Sequence, residues 1–396
     1  MFSGSRLEAG LQENRITSDP PVDRAAPPRF RVREATSEEI ERDVLPLWHS
    51  GMSDLKIVER IQARHDWLYR QAPYGPLRTW TVRDLGTGQV VGAGSILPVE
   101  FEFAGRPLRG GMLVDFIVTP SARTAGPAVM LQRELARQCR QNGFDFLFGY
   151  PNRRAWPVLA RAGYRVLSGT REWVRPIDRR AATIRSALEE RLRGVSGGRL
   201  PRPLVRVAAA FGAFCFREGF SAIDATVRLA CAVTGHRLSI APMDGPPPML
   251  TKRRMAPIRR REDLPYLDWR FRRHPTHANQ IVRIERRGQV LAWAIVRKAD
   301  DRAEVQQVAV PSASELPGRL LFLALPGLLA RAGYRRMSAS LSGRPMFDAM
   351  TRGALYVQRD EQRNVVLHVS PEIAAELSAA LWRPEYWSLL AGELDG

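Results

Sequence analysis

A strand that leads through small residues into a helix is the place where this sequence could bind an anion. The strand 112–118 is followed by the run 119–128, in which Arg123 is the one charged residue. The first backbone N–H groups of a helix have no intrahelical partner and attract a phosphate. Small residues let that phosphate approach the backbone, and Arg123 adds a charge-assisted donor. The segment Arg123–Ala128 is therefore predicted to bind a phosphate-bearing ligand.

One carboxylate interrupts the strand that precedes this loop. Asp115 stands between Val114 and Phe116 in an otherwise apolar run. Desolvation there would raise the affinity of the carboxylate for protons, as a general base requires, so Asp115 is a candidate base. Strand alternation offers an alternative interpretation, in which Asp115 points to solvent or to an arginine partner.

The elements that must position these residues form a strand-rich order with late helices. A strand is predicted at Phe30–Arg33, and Ser37 is the predicted N-cap of helical segments that continue to Arg70. The other predicted elements are strands at 78–84, 89–103 and 111–118, a helix at 127–141, a strand at 145–150, a helix at 154–162 and a strand from 164. In the later part of this order, strands alternate with helices. This alternation predicts an α/β fold, of the α+β kind with a mixed sheet.

The sequence also repeats itself. Asp66–Pro73 (DWLYRQAP) is similar to Asp268–Pro275 (DWRFRRHP), and both are typical of final helical turns that proline ends. The turn Gly88–Val90 recurs as Gly288–Val290, between two predicted strands in each half. Matches in the same order predict two related domains in tandem.

One pentapeptide occurs twice in the chain, but its two copies are predicted not to be equivalent positions of this repeat. Arg161–Arg165 and Arg331–Arg335 both read RAGYR. Counted from the glycine turns, the second copy lies opposite Asn142–Phe144, and the predicted counterpart of Tyr164 is Tyr356. The pentapeptide is therefore interpreted as a common exit from a helix into a strand, with glycine at the C-cap.

Composition divides the chain into four parts. Residues 1–28 are rich in Gly, Ser, Pro and charge, and they are predicted to be a disordered tail without a secretory signal. Residues 29–178 and 236–396 are the two predicted domains. A basic, mostly helical connector at 179–235 is predicted to join them.

The connector carries an arginine stripe and an apolar face. Positions eleven apart lie on one side of a helix, about three turns from each other. The two sets are Arg206, Arg217 and Arg228 on one face, and Val207, Phe211, Phe214 and Leu229 on the other. Such a helix, at 204–235, could lie peripherally on a membrane surface. The alternative is that its apolar face packs against the protein's own domains.

Charge and cysteine content restrict the partners and the compartment. The net charge of +19 is carried almost entirely by arginine, since only Lys56, Lys252 and Lys298 are lysines among 60 basic residues. Coding bias of a GC-rich genome explains that choice, so we do not expect a nucleic-acid partner, and a real anionic partner is the alternative. Three cysteines without metal-ligand spacing predict a reduced, cytoplasmic setting and no metal. No apolar run is long enough to span a bilayer.

Several motifs of the first half together resemble the GNAT superfamily of acyltransferases. They are the order of elements, the pattern Arg123-x-x-Gly126-x-Ala128, the pair Asn152-x-x-Ala155 and the dipeptide Gly163-Tyr164. The resemblance covers 30–175 well and 236–370 weakly, as in tandem two-domain members. It implies an acyl-CoA cosubstrate and direct attack of an amine on the thioester. The residues that it implies for donor binding are Phe116, Ile117, Val118, Arg123, Thr124, Ala125, Gly126, Ala128 and Asn152.

Two departures from the family pattern bear on catalysis. Pro127 has no N–H, so the phosphate loop loses one donor, although proline is well tolerated in a first helical turn. The family often has a tyrosine acid where this sequence has Leu159. Protonation of the leaving thiolate is then expected from Tyr150, from Tyr164 or from water, and Asp115 would act as the base through a water.

The second half lacks the phosphate-loop pattern. Val310–Arg319 keeps a strand, a loop and a helix but not the arginine and glycine spacing, and Glu315 would repel pyrophosphate. The second half is therefore interpreted as a degenerate domain that serves structure or acceptor binding.

Three functions remain open. The first is an N-acyltransferase that moves an acyl group, acetyl in the simplest case, from acyl-CoA or an acyl carrier protein to the amine of a small sugar- or peptide-like acceptor. The second is an aminoacyl transferase that resembles the Fem-type peptidyl transferases and uses its basic surface for tRNA. The third is a noncatalytic binding or scaffolding protein.

Overall fold

The computed structural model describes residues 28–51, 61–177, 201–250, 257–310, 316–342 and 356–388, together with parts of 184–193. The predicted tail at 1–28 therefore lies outside the described residues except for its last position, and Glu315 also lies outside them. Within the described ranges the chain forms a mixed sheet of 14 strands with flanking helices.

The first half builds strands β1 to β6 and helices α1 to α5. Its helical segments are α1 (Ser37–Glu39), a π-helical turn (Ile40–Val44), α2 (Leu45–Gly51), α3 (Ile61–His65), a second π-helical turn (Asp66–Arg70), a 3-10 helix (Pro120–Ala125), α4 (Pro127–Arg137) and α5 (Trp156–Arg161). Its strands are β1 (Phe30–Glu34), β2 (Arg78–Asp84), β3 (Val90–Phe103), β4 (Arg106–Val118), β5 (Phe146–Gly149) and β6 (Arg165–Pro176). The N-cap of α1 is Thr36 and not the predicted Ser37, because Thr36 and Glu39 form a capping box.

The second half repeats most of this order. Its helical segments are α6 (Arg202–Thr234), α7 (Leu264–Leu267), a π-helical turn (Asp268–Arg272), α8 (Leu316–Arg331), α9 (Ala375–Leu381) and a 3-10 helix (Pro384–Tyr386). Its strands are β7 (His236–Pro242), β8 (Ile258–Arg260), β9 (Asn279–Arg286), β10 (Gln289–Ala299), β11 (Arg302–Ala309), β12 (Arg336–Ser342), β13 (Val357–Val369) and β14 (Trp387–Ser388). The α/β fold with two tandem domains is therefore confirmed.

Strands β6 and β13 are exchanged between the halves, so that each pairs inside the sheet of the other half. The strand order is β1-β2-β3-β4-β5-β13-β6-β12-β11-β10-β9-β7, and β8 pairs with β3 and β14. β13 is antiparallel to β5, with Val366 opposite Gly149, and antiparallel to β6. β6 also pairs with β12 along Thr170–Pro176. The domain limits at 178 and 236 stay predictions, but the sheet runs across them.

Reciprocal tryptophan contacts relate the two halves. Trp67 and Trp269 stack with ring centroids 4.6 Å apart. Each indole N–H donates to the backbone carbonyl of the other tryptophan, at 2.9 Å in both cases. Because equivalent residues exchange identical contacts about a two-fold relation, this pairing supports the predicted equivalence of the two segments.

The predicted alignment of the pentapeptides agrees with the strand order. Phe144 and Tyr334 precede β5 and β12, whereas Tyr164 and Tyr356 precede β6 and β13. The two RAGYR copies are therefore not equivalent in the fold. They recur because a left-handed glycine ends the helix in both, with φ of +98° in one copy and +89° in the other.

Three buried clusters hold the sheet and its helices together. The shared core draws on both halves, with Trp48, Tyr69, Val114, Phe148, Trp269 and Trp387 among its members. The α4 core covers the opposite face of the first half and includes Leu131, Leu135, Phe144, Leu147, Tyr164 and Val366. The α8 core includes Val282, Ala294, Leu321, Leu325 and, from β6, Trp173. The exchanged strands are therefore packed into the other half's core as well as paired with its strands.

A substitution in the second half should consequently unfold part of the first. Val366 is fully buried in the α4 core, so Val366→Asp would place a carboxylate there without a partner. We expect loss of hydrogen-exchange protection in β5, and the measurement is amide exchange followed by mass spectrometry. Asn364→Asp, which adds the same charge at a half-buried position of β13, is the control. Protection of β5 that persists in folded Val366→Asp would contradict the exchange.

Two histidines beside the tryptophan pair should make stability depend on pH. His274 lies 4.4 Å from Trp67 and stacks on His277 at 4.6 Å, by ring centroids. Burial and the nearby Arg270 lower the pKa of His274 to about 2, and burial and Arg297 lower the pKa of His277 to about 4. Both rings thus stay neutral in the folded state while the unfolded chain takes up protons below pH ~6.5. Their contribution to stability is present above that pH and is lost as pH falls toward 4.

The expected size of this effect follows from proton linkage. Each proton taken up on unfolding contributes a slope of about 1.4 kcal/mol per pH unit. The double variant His274→Gln, His277→Gln should therefore have a weaker pH dependence of the unfolding free energy between pH 6 and 4.5. The reduction corresponds to the uptake of up to ~2 protons on unfolding. Urea unfolding at several pH values measures this slope. The exposed His49→Gln is the control, and an unchanged slope in the double variant would contradict the prediction.

Helix α6 buries a face that the sequence did not predict. Its buried residues include Val205, Ala209, Ala213, Phe220, Val227 and Cys231. Residues of the predicted apolar face stay outside, with Phe211 70% and Leu229 65% exposed. The helix therefore packs against the protein's own second half, as one interpretation held, but it does so through this inner face and not through the predicted apolar one. Among the described helices, none has the length and apolar character that crossing a bilayer needs.

Candidate functional site

A wedge opens between β4 and β5. The two strands are parallel neighbours over Gly110–Met112 and Phe146–Phe148. β5 ends at Gly149 while β4 continues to Val118, so among the described strands the last part of β4 pairs only with β3. At the apex a Cβ on Gly149 would lie 3.2 Å from the Cβ of Leu113, which shows how closely the strands approach there. Beyond this point the backbone of β4 has N–H and C=O groups available to a ligand.

A β-bulge in β4 lies on the wall of this wedge. Ala93 of β3 pairs with Ile117 of β4 but Ser95 pairs with Val114, so β4 carries one extra residue. Asp115 adopts a left-handed conformation there, with φ of +52°. The indole N–H of Trp48 donates to the Asp115 carbonyl at 3.1 Å and holds the bulge.

The side chain of Asp115 is buried in an ion pair. Arg64 of α3 donates from Nη1 to Oδ2 at 2.9 Å and from Nη2 to Oδ1 at 2.8 Å. The side chain of Arg64 is 12% exposed and that of Asp115 only 4%. Burial lowers the pKa of Arg64, but the charge and hydrogen bonds of Asp115 outweigh it and the pKa is raised. The arginine partner that strand alternation offered as the alternative is therefore present.

A chain of buried hydroxyl groups continues from the carboxylate. The Tyr69 hydroxyl donates to Asp115 Oδ2 at 3.1 Å and contacts Ser95 Oγ at 2.8 Å, and Ser95 contacts Thr79 Oγ1 at 2.8 Å. Burial, followed by the charge of Asp115, raises the pKa of Tyr69 well above its ordinary value, so the phenol stays protonated. Because Tyr69 gives its proton to the carboxylate, Ser95 must donate to Tyr69, and Thr79 to Ser95. The network fixes the orientation of Asp115 from the side of β2 and β3.

The predicted phosphate loop lies at the end of β4. A 3-10 helix, Pro120–Ala125, leads into α4, and Gly126 between them has φ of +88°. Nothing lies within 4 Å of the position that a Gly126 Cβ would take, so the loop is open at this point. The exposed Arg123 donates from Nε to the Val118 carbonyl at 3.2 Å, which ties the loop to β4. Ala128, in the first turn of α4, is buried, and the side chains of Thr124 and Ala125 lie outside the described residues.

Asn152 forms the other wall of the wedge, after β5. Its Oδ1 accepts the backbone N–H of Arg154 at 3.0 Å and of Ala155 at 2.9 Å, just before α5 begins. The side chain is exposed, and its amide N–H₂ can still donate.

The two candidate tyrosine acids lie on opposite faces of the sheet. Tyr150 packs against the shared core beside Phe148, on the face that carries Tyr69 and Asp115. Tyr164 is buried in the α4 core, 5.5 Å from the His368 ring by centroids, and burial raises its pKa well above the ordinary value. The charge of Cys139, which follows the C-terminal end of α4, adds to that rise. The structure therefore brings Tyr150, but not Tyr164, to the face of Asp115.

A buried imidazole beside this network has no signal in the sequence. His65 is 5% exposed and its ring stacks on Tyr69, with centroids 4.6 Å apart. Burial lowers its pKa, and its Nδ1 lies 3.7 Å from Asp66 Oδ1. Arg64 and Tyr69 were also missed, because no motif links them to Asp115. Ser95 could have been found, since it interrupts an apolar strand just as Asp115 does.

The second half has a related wedge without the carboxylate. β11 pairs with β12 only over Arg302–Val305, and its pairing with β10 also carries one extra residue, at Gln306. Gln306 is 5% exposed and stands where the first half has Asp115. An amide cannot act as a general base at neutral pH, so the chemistry of the first wedge is not reproduced here.

Comparison with known proteins agrees with this geometry. Residues 31–167 match the family model of the acetyltransferase (GNAT) domain. Two solved structures are similar over 86% of this chain and 73% of theirs, each with a TM-score of 0.53. One is a GCN5-related N-acetyltransferase from Anabaena variabilis, at 12% identity. The other, at 11% identity, is a conserved protein of unknown function from Enterococcus faecalis described as "Probable N-Acyltransferase". No curated protein matches the sequence significantly.

Proposed function

We propose that the chain is an N-acyltransferase that uses acyl-CoA, since residues 31–167 match the acetyltransferase (GNAT) domain. The acyl group, acetyl in the simplest case, goes to the amine of a sugar- or peptide-like acceptor. The observation that carries this proposal is the wedge between β4 and β5, with the open Arg123–Ala128 loop at its end.

Donor binding is proposed to use the backbone more than side chains. The edge of β4 at Phe116–Val118, where Arg123 already holds the Val118 carbonyl, would hydrogen-bond the pantetheine arm as a neighbouring strand would. The N–H groups at the start of α4 and the guanidinium of Arg123 would hold the pyrophosphate. Asn152 would donate its amide N–H₂ from the opposite wall.

For the transfer itself, the protein mainly has to position the substrates and to control the proton transfers. The amine nitrogen attacks the thioester carbonyl, the C–N bond forms, the C–S bond breaks and the CoA thiolate leaves. The attacking nitrogen must lose a proton, which we assign to Asp115 through a water. A carboxylate has about four acceptor positions, of which Arg64 and Tyr69 use three, so one remains for that water. Tyr150 is proposed to protonate the thiolate.

The second half is proposed to support the fold and to contribute to acceptor binding without binding CoA. Gln306 replaces the carboxylate in its wedge, and the sequence between β11 and α8 contains Glu315, whose charge would repel a pyrophosphate.

A test of the function begins with the full chain and a panel of acyl-CoA thioesters. We expect one acyl-CoA per chain in isothermal titration, and CoA release when aminosugars or short peptides are added. Absence of acyl-CoA binding to folded protein would contradict the proposal. Tight, salt-sensitive binding of tRNA without acyl-CoA binding would favour the Fem-type function instead.

A further inference from the structure

Helix α6 exposes apolar side chains along one side, in a group toward each end of the helix, and these are called here the apolar stripe. Its members are Leu204, Val207, Phe211, Phe214, Leu229 and Val233, which are between 55% and 78% exposed. At 100° per residue these positions fall on one side of the helix, directly opposite the buried residues. A helix of 33 residues is about 50 Å long, so the stripe is far more extended than scattered surface leucines would be.

The inner face of α6 is fully used by the fold. Val227 and Cys231 are packed in the α8 core. Asp224 lies so close to Gly327 of α8 that a Cβ there would meet its carboxylate at 2.6 Å. The helix is therefore held firmly with its outer face toward solvent, and the apolar stripe cannot turn inward without breaking this packing.

Arginines flank the apolar stripe along its length. Arg206, Arg217 and Arg228 follow one shoulder of the helix. Glu218, the exposed acidic residue of α6, lies on the side of the apolar stripe between Phe214 and Leu229, and its charge is paired with Arg217 at 2.8 Å.

The charge pattern disfavours a second copy of the chain as the occupant. In an antiparallel pair of α6 helices centred on Arg217, Arg206 of one copy would meet Arg228 of the other. Like charges brought together at such an interface oppose association. An anionic surface satisfies the apolar and the basic parts at once, and a long helix with an apolar face and flanking arginines is what binds in the plane of a membrane.

We propose that α6 docks the protein on an anionic lipid surface, with the apolar stripe in the headgroup and acyl boundary and the arginines against lipid phosphates. No transfer chemistry is involved, so this proposal is independent of the acyltransferase function. The positive charge that the arginines of α6 carry would then serve to bind anionic lipid.

Co-sedimentation with vesicles tests the docking. We expect the full chain to bind vesicles of phosphatidylcholine with 30% phosphatidylglycerol far more tightly than phosphatidylcholine alone. Phe211→Ser with Phe214→Ser should lower the partition coefficient at least about tenfold, because each loses its burial in lipid. Leu85→Ser is the control: it removes an exposed apolar side chain, 43% accessible, from the turn between β2 and β3. It should bind as the wild type does.

The arginines and the exposed thiol give two further readouts. Arg206→Gln with Arg228→Gln should weaken binding roughly tenfold or more at physiological salt, at about fivefold for each arginine. Cys215 is exposed while Cys139 and Cys231 are buried, so an environment-sensitive dye can be attached to α6 alone. Its emission should shift to the blue when anionic vesicles are added.

Three outcomes would overturn the proposal. The first is vesicle binding that is unchanged by loss of Phe211 and Phe214. The second is equal binding to neutral and anionic vesicles. The third is a dimer in sedimentation velocity, lost in the same variants and formed without vesicle binding, which would assign the apolar stripe to a second copy.

Discussion

Glutamate in place of Gly126 should abolish CoA binding, with a loss of at least about a hundredfold in affinity. The new carboxylate would stand at the N-terminus of α4, where the pyrophosphate is proposed to bind. Two like charges ~5 Å apart at an effective dielectric of ~20 repel by about 3 kcal/mol, which is more than a hundredfold in affinity. Because no atom lies within 4 Å of the Cβ position, the side chain fits without disturbing its neighbours.

A matched variant in the second half isolates this charge effect. Gly288 has φ of +76°, against +88° for Gly126, and open space at its Cβ position as well. Gly288→Glu therefore has the same backbone cost, about 1–2 kcal/mol, and the same added charge. It should keep wild-type CoA affinity in isothermal titration, while circular dichroism stays native for both variants. Equal affinity of the two glutamate variants would show that the loop is not the phosphate site.

The stoichiometry of the same titration bears on the second half. A single Gly126→Glu substitution should remove all binding if the first wedge is the one CoA site. Residual binding of one CoA per chain in that variant would instead locate a site in the second wedge, beside Gln306.

The position of the phosphate loop could be predicted from the sequence because the residues that mark it are neighbours in the chain. Glycine, proline and small residues mark the start of α4 directly, and an apolar strand before them marks β4. Asp115 was noticed for the same reason, as a polar residue in an apolar run. The tandem repeat was also accessible, because two copies of a pattern can be compared within one chain.

The exchange of β6 and β13 could not be predicted, because strand pairing is set by distant contacts. Nothing in the sequence of either strand says which half's sheet it joins. Trp173 and Val366 look like core residues of their own halves, yet each packs in the other half's core. Expressing the halves separately would therefore remove a strand from each sheet.

The ion-pair partner of Asp115 could not be predicted from the sequence for the same reason. Arg64 is 51 positions away, in a helix whose link to β4 appears only when the shared core forms. The sequence allowed a base, a solvent-exposed carboxylate or an ion pair. The structure shows the ion pair with Arg64. Whether Asp115 also acts as the base has to be tested with substituted variants.

Asparagine in place of Asp115 should have two separable effects. It would leave the buried Arg64 without a counter-charge, which is expected to lower the free energy of unfolding by about 3–5 kcal/mol. It would also remove the proposed base, which is expected to lower turnover by about 100- to 10,000-fold. A single variant cannot distinguish a loss of catalysis from a loss of the bulge geometry.

A double variant separates the two. Arg64→Gln combined with Asp115→Asn replaces the ion pair by two neutral amides that can hydrogen-bond to each other. We expect urea unfolding to show recovery of most of the lost stability, since no unpaired charge remains buried. CoA affinity should be close to that of the wild type, because the bulge and the β4 edge keep their support.

Turnover is the quantity that should not recover. An amide cannot accept the amine proton, so CoA release in the double variant should stay within a few-fold of Asp115→Asn alone, at saturating acyl-CoA. The wild type and the double variant should also differ in the pH dependence of turnover, because only the wild type has the proposed base. If the double variant regained wild-type turnover and its pH profile, Asp115 would be a positioning residue that holds the bulge through Arg64. Proton removal would then have to come from elsewhere on this face, and the neutral imidazole of His65, stacked on Tyr69, would be the group to replace next.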